Sequence, residues 1–121
     1  MKKLLLVLSA LFIMSAGSMF AAAGTPKTVI HVITVAWKAS ATPAQIAAAK
    51  QAAVKMDYPG LKNVWIRPIK KQLDAPLTDI IVMEFESEAA LQKYADSPAQ
   101  KKFYESYMSV REESRTHDIT N

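Results

Sequence analysis

Two segments of this chain are apolar on both faces of the strand each predicts. In VIHVITVAW, alternation puts Val29, His31, Ile33, Val35 and Trp37 on one side and Ile30, Val32 and Ala36 on the other. The stretch LTDIIVMEFE repeats this, with Ile81, Met83 and Phe85 facing one way and Ile80 and Val82 the other. A sheet with one solvated face alternates cleanly between apolar and polar residues, and these strands do not. Both faces of the sheet must therefore be covered.

The rest of the chain supplies a cover for one face. ATPAQIAAAKQAAVKM opens with Thr42, Pro43 and Gln45, a capping box with proline at the first helical position, and carries Ile46, Ala49, Ala53 and Met56 on one stripe. Tyr58-Pro59-Gly60 stops that helix, and LKNVWIRPI is a second strand weakened at its far end by Pro68. KKQLDAP connects it to the third strand. Ser87 caps a short helix bearing Leu91 and Tyr94. Ser97-Pro98-Ala99-Gln100 predicts a second capping box, starting a helix with Phe103, Tyr107 and Val110 on one face. SRTHDIT is a short final strand.

The order βαββαβ is the ferredoxin-like split βαβ pattern, an α+β fold with an antiparallel sheet in order 4-1-3-2 and its helices on one face. The other face, carrying Ile30, Val32, Ile80 and Val82, must meet something else, most simply the same face of a second copy. The expectation is a homodimer whose two sheets close a dimeric α+β barrel.

The N-terminus carries a separate message. Lys2 and Lys3, an apolar run from Leu4 to Met14, and Ala21-Ala22-Ala23 have the layout of a secretory signal peptide over residues 1–23. The run is too short for the ~20 apolar residues of a spanning helix, so an uncleaved anchor is the weaker reading. The mature domain is then 24–121, secreted or periplasmic, with no membrane attachment after cleavage. Losing the two lysines lowers the formal charge from +4 to +2, and the remaining basic residues are scattered. Lys70-Lys71, Lys101-Lys102, Arg111 and Arg115 thus read as solvated surface, with no nucleic-acid partner. With no cysteine in the chain, disulfides, thiol catalysis and cysteine-ligated metal are all excluded.

The mature region resembles the stress-responsive A/B-barrel (Dabb) family of small dimeric α+β barrels. HVITVAWK, TPAQI, YPGLKNV, MEFESEAALQKYADSPAQKKF and the closing HDI carry the resemblance, which spans nearly the whole domain. It implies a homodimer binding a small apolar ligand, with most members having no established reaction. It also implies two alternatives: a cyclase-like lyase acting on a polyketide-like or other carbonyl substrate, or a cofactor-free small-barrel monooxygenase.

In the family's plant polyketide cyclase, a tyrosine and a histidine on the second helical segment close an aldol ring. Aligned through Ser97-Pro98-Ala99, Tyr94 falls on the tyrosine and Gln100 on the histidine. A neutral amide cannot take a proton, which weighs against catalysis. A second histidine of the cyclase, at the start of strand three, is Asp79 here. His31 and Asp118 match polar positions of the first and last strands, where antiparallel pairing would let the carboxylate fix the imidazole tautomer.

The candidate ligand-binding set is thus His31, Asp79, Tyr94, Gln100 and Asp118, with His31 and Tyr94 the catalytic candidates if there is catalysis. Four of them have a plainer reading: His31 a buried, satisfied histidine, Tyr94 a core tyrosine, Asp79 a strand-end residue bonded to nearby backbone, Gln100 a capping residue. Trp37 and Trp65 read as packing groups. His117 faces away from Asp118, so a His31–His117 metal pair is unsupported. No cofactor is expected. Carbonyls freed after the first helix, at Tyr58 and Leu61, are the one candidate site for a Mg²⁺-like ion.

If the leader is read as export machinery reads it, Leu6→Asp with Leu8→Asp stops translocation, and exported wild-type protein begins near Gly24 by mass spectrometry. A full-length species held in the membrane would favour the anchor.

Overall fold

The computed structural model describes residues 27–121, so the leader read at 1–23 lies outside the described residues. Seven elements follow: β1 (Val29–Trp37), α1 (Pro43–Val54), β2 (Leu61–Trp65), β3 (Asp79–Phe85), α2 (Glu88–Tyr94), α3 (Pro98–Tyr107) and β4 (Arg111–Ile119). The four strands form one antiparallel sheet in the order β2-β3-β1-β4, which is the expected 4-1-3-2 read from the other edge.

The helix starts are built as their sequences require. Thr42 Oγ1 accepts from the Gln45 N–H at 3.2 Å, and Gln45 Oε1 accepts from the Thr42 N–H at 2.9 Å, closing the capping box of α1. Ser87 and Ser97 accept from the N–H groups of Ala90 and Gln100. The box expected at Ser97 closes differently. Gln100 Oε1 accepts from the N–H of Asp96, one residue before the cap, at 2.7 Å. Asp96 has φ 62, a left-handed conformation that aspartate tolerates better than most residues. Gln100 therefore holds the corner between α2 and α3.

The helices cover one face of the sheet. Ala49 and Ala53 of α1, Ala90 and Tyr94 of α2, and Phe103 and Tyr107 of α3 pack with Val29, Ile33, Val35, Ile81, Met83 and Phe85. Val110, expected on the last helix, lies beyond its end, with its N–H bonded to the Tyr107 carbonyl, and is still buried. The nine-residue β4 is longer than the seven-residue SRTHDIT, beginning three positions earlier at Arg111. Its sequence has no apolar alternation, so only its pairing with β1 makes it a strand.

On the opposite face, the register aligns Trp65, Val82, Val32 and His117 in one row across the sheet. Ile30, Val32, Ile80 and Val82 are only half-buried, and Trp65, expected as a packing group, is 49% exposed there. Trp37 does pack, edge-on against Tyr107 with ring centroids 6.1 Å apart.

One glycine is fixed by its neighbours. A Cβ on Gly60 would sit 2.8 Å from Ala90 Cβ and 2.9 Å from Tyr58 Cε1. The Tyr58 hydroxyl donates to the Ala90 carbonyl at 2.6 Å, so neither side is free to yield. Gly60→Ala should lower unfolding free energy by about 1–3 kcal/mol in urea titrations, the cost of overpacking.

Candidate functional site

The register of β1 sets the site. His31 stands opposite Met83 on one side and Asp118 on the other, and its ring lies on the helix-covered face. His31 Nδ1 bonds Asp118 Oδ1, as the strand pairing anticipates, with the imidazole side chain 14% exposed and the carboxylate 49%. A carboxylate only accepts, so Nδ1 carries the hydrogen, and in the neutral ring Nε2 carries the lone pair. The ring also stands edge-on to Phe85, with centroids 6.1 Å apart.

A cavity of about 230 Å³ opens between this part of the sheet and the helices, lined by His31, Ile33, Tyr94, Phe103, Tyr104, Tyr107, Arg111, Ser114 and Thr116. Phe103 and Tyr107 stack at 4.8 Å, and Tyr104 lies 5.9 Å from Tyr107, giving an aromatic wall above the strands. Burial, with the neighbouring phenols of Tyr104 and Tyr107, holds the Tyr94 hydroxyl above the ordinary phenol range. It stays a neutral donor across physiological pH and is a poor base.

The structure brings together three of the five candidates. His31 and Tyr94 line the cavity, and Asp118 holds His31. Gln100 does not line it: besides its bond to Asp96, its Nε2 donates to the Tyr104 hydroxyl at 3.2 Å, and it reaches the cavity only through that ring. Asp79 pairs with Val35, four residues along β1 from His31, which is ~13 Å of strand. It does more than the strand-end reading implied. Its carboxylate is buried and accepts from Lys50 Nζ at 2.9 Å, the Ile80 N–H at 2.9 Å and Trp37 Nε1 at 3.2 Å.

The Tyr58 carbonyl accepts the Leu61 N–H at 3.0 Å, closing the turn that was the candidate cation site. Among the described residues, no group of three His, Cys, Asp or Glu is placed to hold a metal ion. A larger depression of about 520 Å³ lies between α1 and α3, but of the cavity's lining it shares only Phe103.

Sequence reasoning missed Tyr104, Arg111, Ser114 and Thr116 as site residues. Tyr107 was read only as a packing residue. Arg111 gave no signal at all, because its position depends on a register shift between Ala36 and Trp37 that leaves Glu112 without a partner on β1.

Fold and cavity together define a ferredoxin-like α+β protein with an internal site between its sheet and its helices. The chain belongs to the stress-responsive A/B-barrel family: the profile of the Stress responsive A/B Barrel Domain matches residues 29–121. Among solved structures it is similar to a dimeric ferredoxin-like protein of unknown function from Thermobifida fusca, at 18% identity and TM-score 0.62, covering 78% of this chain and 91% of that one. It is also similar to the hydroxynitrile lyase of Passiflora edulis, at 16% identity and TM-score 0.66, covering 79% and 94%. A third likeness is to SnoaB, a cofactor-independent oxygenase from Streptomyces nogalater, at 12% identity and TM-score 0.54, covering 78% and 93%. No functionally curated protein matches the sequence.

Asp79 gives the fold a pH dependence. Burial works to raise its pKa, but the bonds from Lys50, Ile80 and Trp37 and the Lys50 charge outweigh it, so the carboxyl titrates below its ordinary range. A depressed folded-state pKa stabilises the fold above the unfolded value of ~3.9, and that contribution disappears as pH falls through the folded value. Asp79→Ala should cost about 2–3 kcal/mol at neutral pH, by stranding Lys50 and Trp37, and should flatten part of the acid limb in urea titrations.

Proposed function

We propose that this chain is exported, pairs with a second copy through its open sheet face, and binds one small ligand in the cavity beneath the sheet without turning it over. No resident cofactor is needed for that role. The cavity carries the reading. A cavity of ~150 Å³ has room for benzene, so one of about 230 Å³ with Tyr94, Phe103, Tyr104 and Tyr107 in its wall and a mainly polar exposed lining has room for a single ring with a polar substituent. His31, held by Asp118, offers the ligand one fixed acceptor at Nε2.

Two observations support binding over turnover. The helical segment has an amide at Gln100, and that amide is engaged by Asp96 and Tyr104. Tyr94, held above the ordinary phenol range, stays protonated. The dimer is supported by the half-buried row Val82–Val32 beside Trp65, and by neighbours described as dimeric. One observation favours a second reading, a lyase acting on a small carbonyl adduct. The His31–Asp118 pair presents, in the neutral ring, a lone pair at the cavity wall, as a base for a hydroxyl proton would need, and one neighbour is a hydroxynitrile lyase.

Sedimentation at micromolar concentration should find the mature wild type dimeric and Val32→Asp monomeric, because each copy would otherwise bury an unpaired carboxylate at a cost of several kcal/mol. A stable wild-type monomer would sink the barrel. Benzyl alcohol should bind and shift the His31 imidazole resonances, while mandelonitrile should not be cleaved. Release of benzaldehyde and cyanide, abolished by His31→Gln with the fold intact, would make the lyase reading correct.

A further inference from the structure

Two buried polar atoms on residues of the cavity wall have no hydrogen-bond partner: the hydroxyl of Tyr107 and Nε of Arg111. Buried polar groups are nearly always bonded, so a pair left open at one place needs a reason. Tyr107 is 2% exposed. Burial holds its pKa above the ordinary phenol range although Ser114 and Arg111, both within hydrogen-bonding reach of the hydroxyl, pull the other way, so the group stays protonated. Arg111 is a permanent cation. Its Nη1 donates to Ser114 Oγ at 3.0 Å, and its guanidinium carbon sits 5.8 Å from the centre of the Tyr107 ring. None of the ion pairs among the described residues includes it.

The backbone delivers Arg111 to this place by design of the strand. From Ser114 to Ile119, β4 keeps strict register with β1, and Ser114, Thr116 and Asp118 face the helices. Continued alternation would turn Arg111 to the open face. The bulge at Glu112 instead sets Arg111 opposite Trp37, on the cavity side. Bulges re-aim single side chains in this way.

We infer that the cavity takes a small carboxylate with an apolar body, its charge met by the Arg111 guanidinium with the Tyr107 hydroxyl beside it, and its body against the aromatic wall. This rests on the binding role proposed for the cavity and names the class of ligand. One cation in the cavity wall matches the single charge of a carboxylate, whereas a phosphate dianion would remain half neutralised. Asp118 does not line the cavity, and one of its oxygens is bonded to His31.

The test is calorimetric titration of the full mature chain with benzoate and with benzamide, which match in shape and differ in charge. Wild type should bind benzoate roughly tenfold more tightly than benzamide, the range expected for hydrogen bonds to a charged group. Arg111→Gln should bring the ratio toward one, Tyr107→Phe should reduce it, and Arg111→Lys should restore a preference for the anion, with thermal midpoints checking each fold. Equal affinities in the wild type, or a preference that survives Arg111→Gln, overturn the inference while leaving the cavity a binding site. If neither probe binds, the binding role falls too. If Arg111→Gln does not fold, the wild-type ratio and Tyr107→Phe decide.

Discussion

The pairing of β1 on both edges is the constraint on which the rest depends. β1 is hydrogen-bonded to β3 along one edge and β4 along the other, so its nine residues fix two registers at once. A slip of one residue in either ladder would turn every side chain of that strand to the wrong face. His31 meets Asp118, Val32 meets both Val82 and His117, and Val35 meets both Asp79 and Ser114 as consequences of this one alignment. The core, the site and the open face are three readings of the same strand.

What the sequence made legible follows from the range of the forces involved. Capping of α1 and α2 is decided within four residues, so Thr42, Gln45 and Ser87 announce their helices. Strand alternation is equally local, and both faces of β1 and β3 could be assigned before any pairing was known. β4 was under-read because REESRTHDI owes its conformation to a partner about 80 positions away. The cavity wall was missed for the same reason: Tyr107 reads as one apolar position of a helical stripe, and Arg111 as one surface cation among many. Gln100 shows the opposite case, a residue whose local motif was right in kind and displaced by one position, because the left-handed Asp96 presents its own N–H to the amide.

The candidate residues also divide by task. Asp79 and Lys50 fasten α1 to the sheet at one end, with Trp37 completing the carboxylate's partners. His31, Asp118 and the aromatic residues of α2 and α3 occupy the other end, where helix and sheet leave space between them. A family scaffold can keep its packing and change its chemistry at the polar residues of that end, whereas Tyr94, Phe103 and Tyr107 also belong to the core. Family membership here fixes the architecture, and the particular side chains at the open end must say what the architecture is used for.

The edges of the sheet have a consequence of their own. β2 is five residues long and is followed within three positions by Pro68, so it offers few free backbone groups. The other edge, β4, is studded with Arg111, Glu112, Glu113, Arg115 and His117. A short strand ended by proline and a charged one are the two usual defences against strand addition by a neighbouring molecule. Edge-to-edge growth is thereby disfavoured, which leaves the apolar face as the surface on which the proposed dimer would close after one partner. For a small domain without cysteines, the border of the sheet protects against fibrous aggregation as surely as its core protects against unfolding.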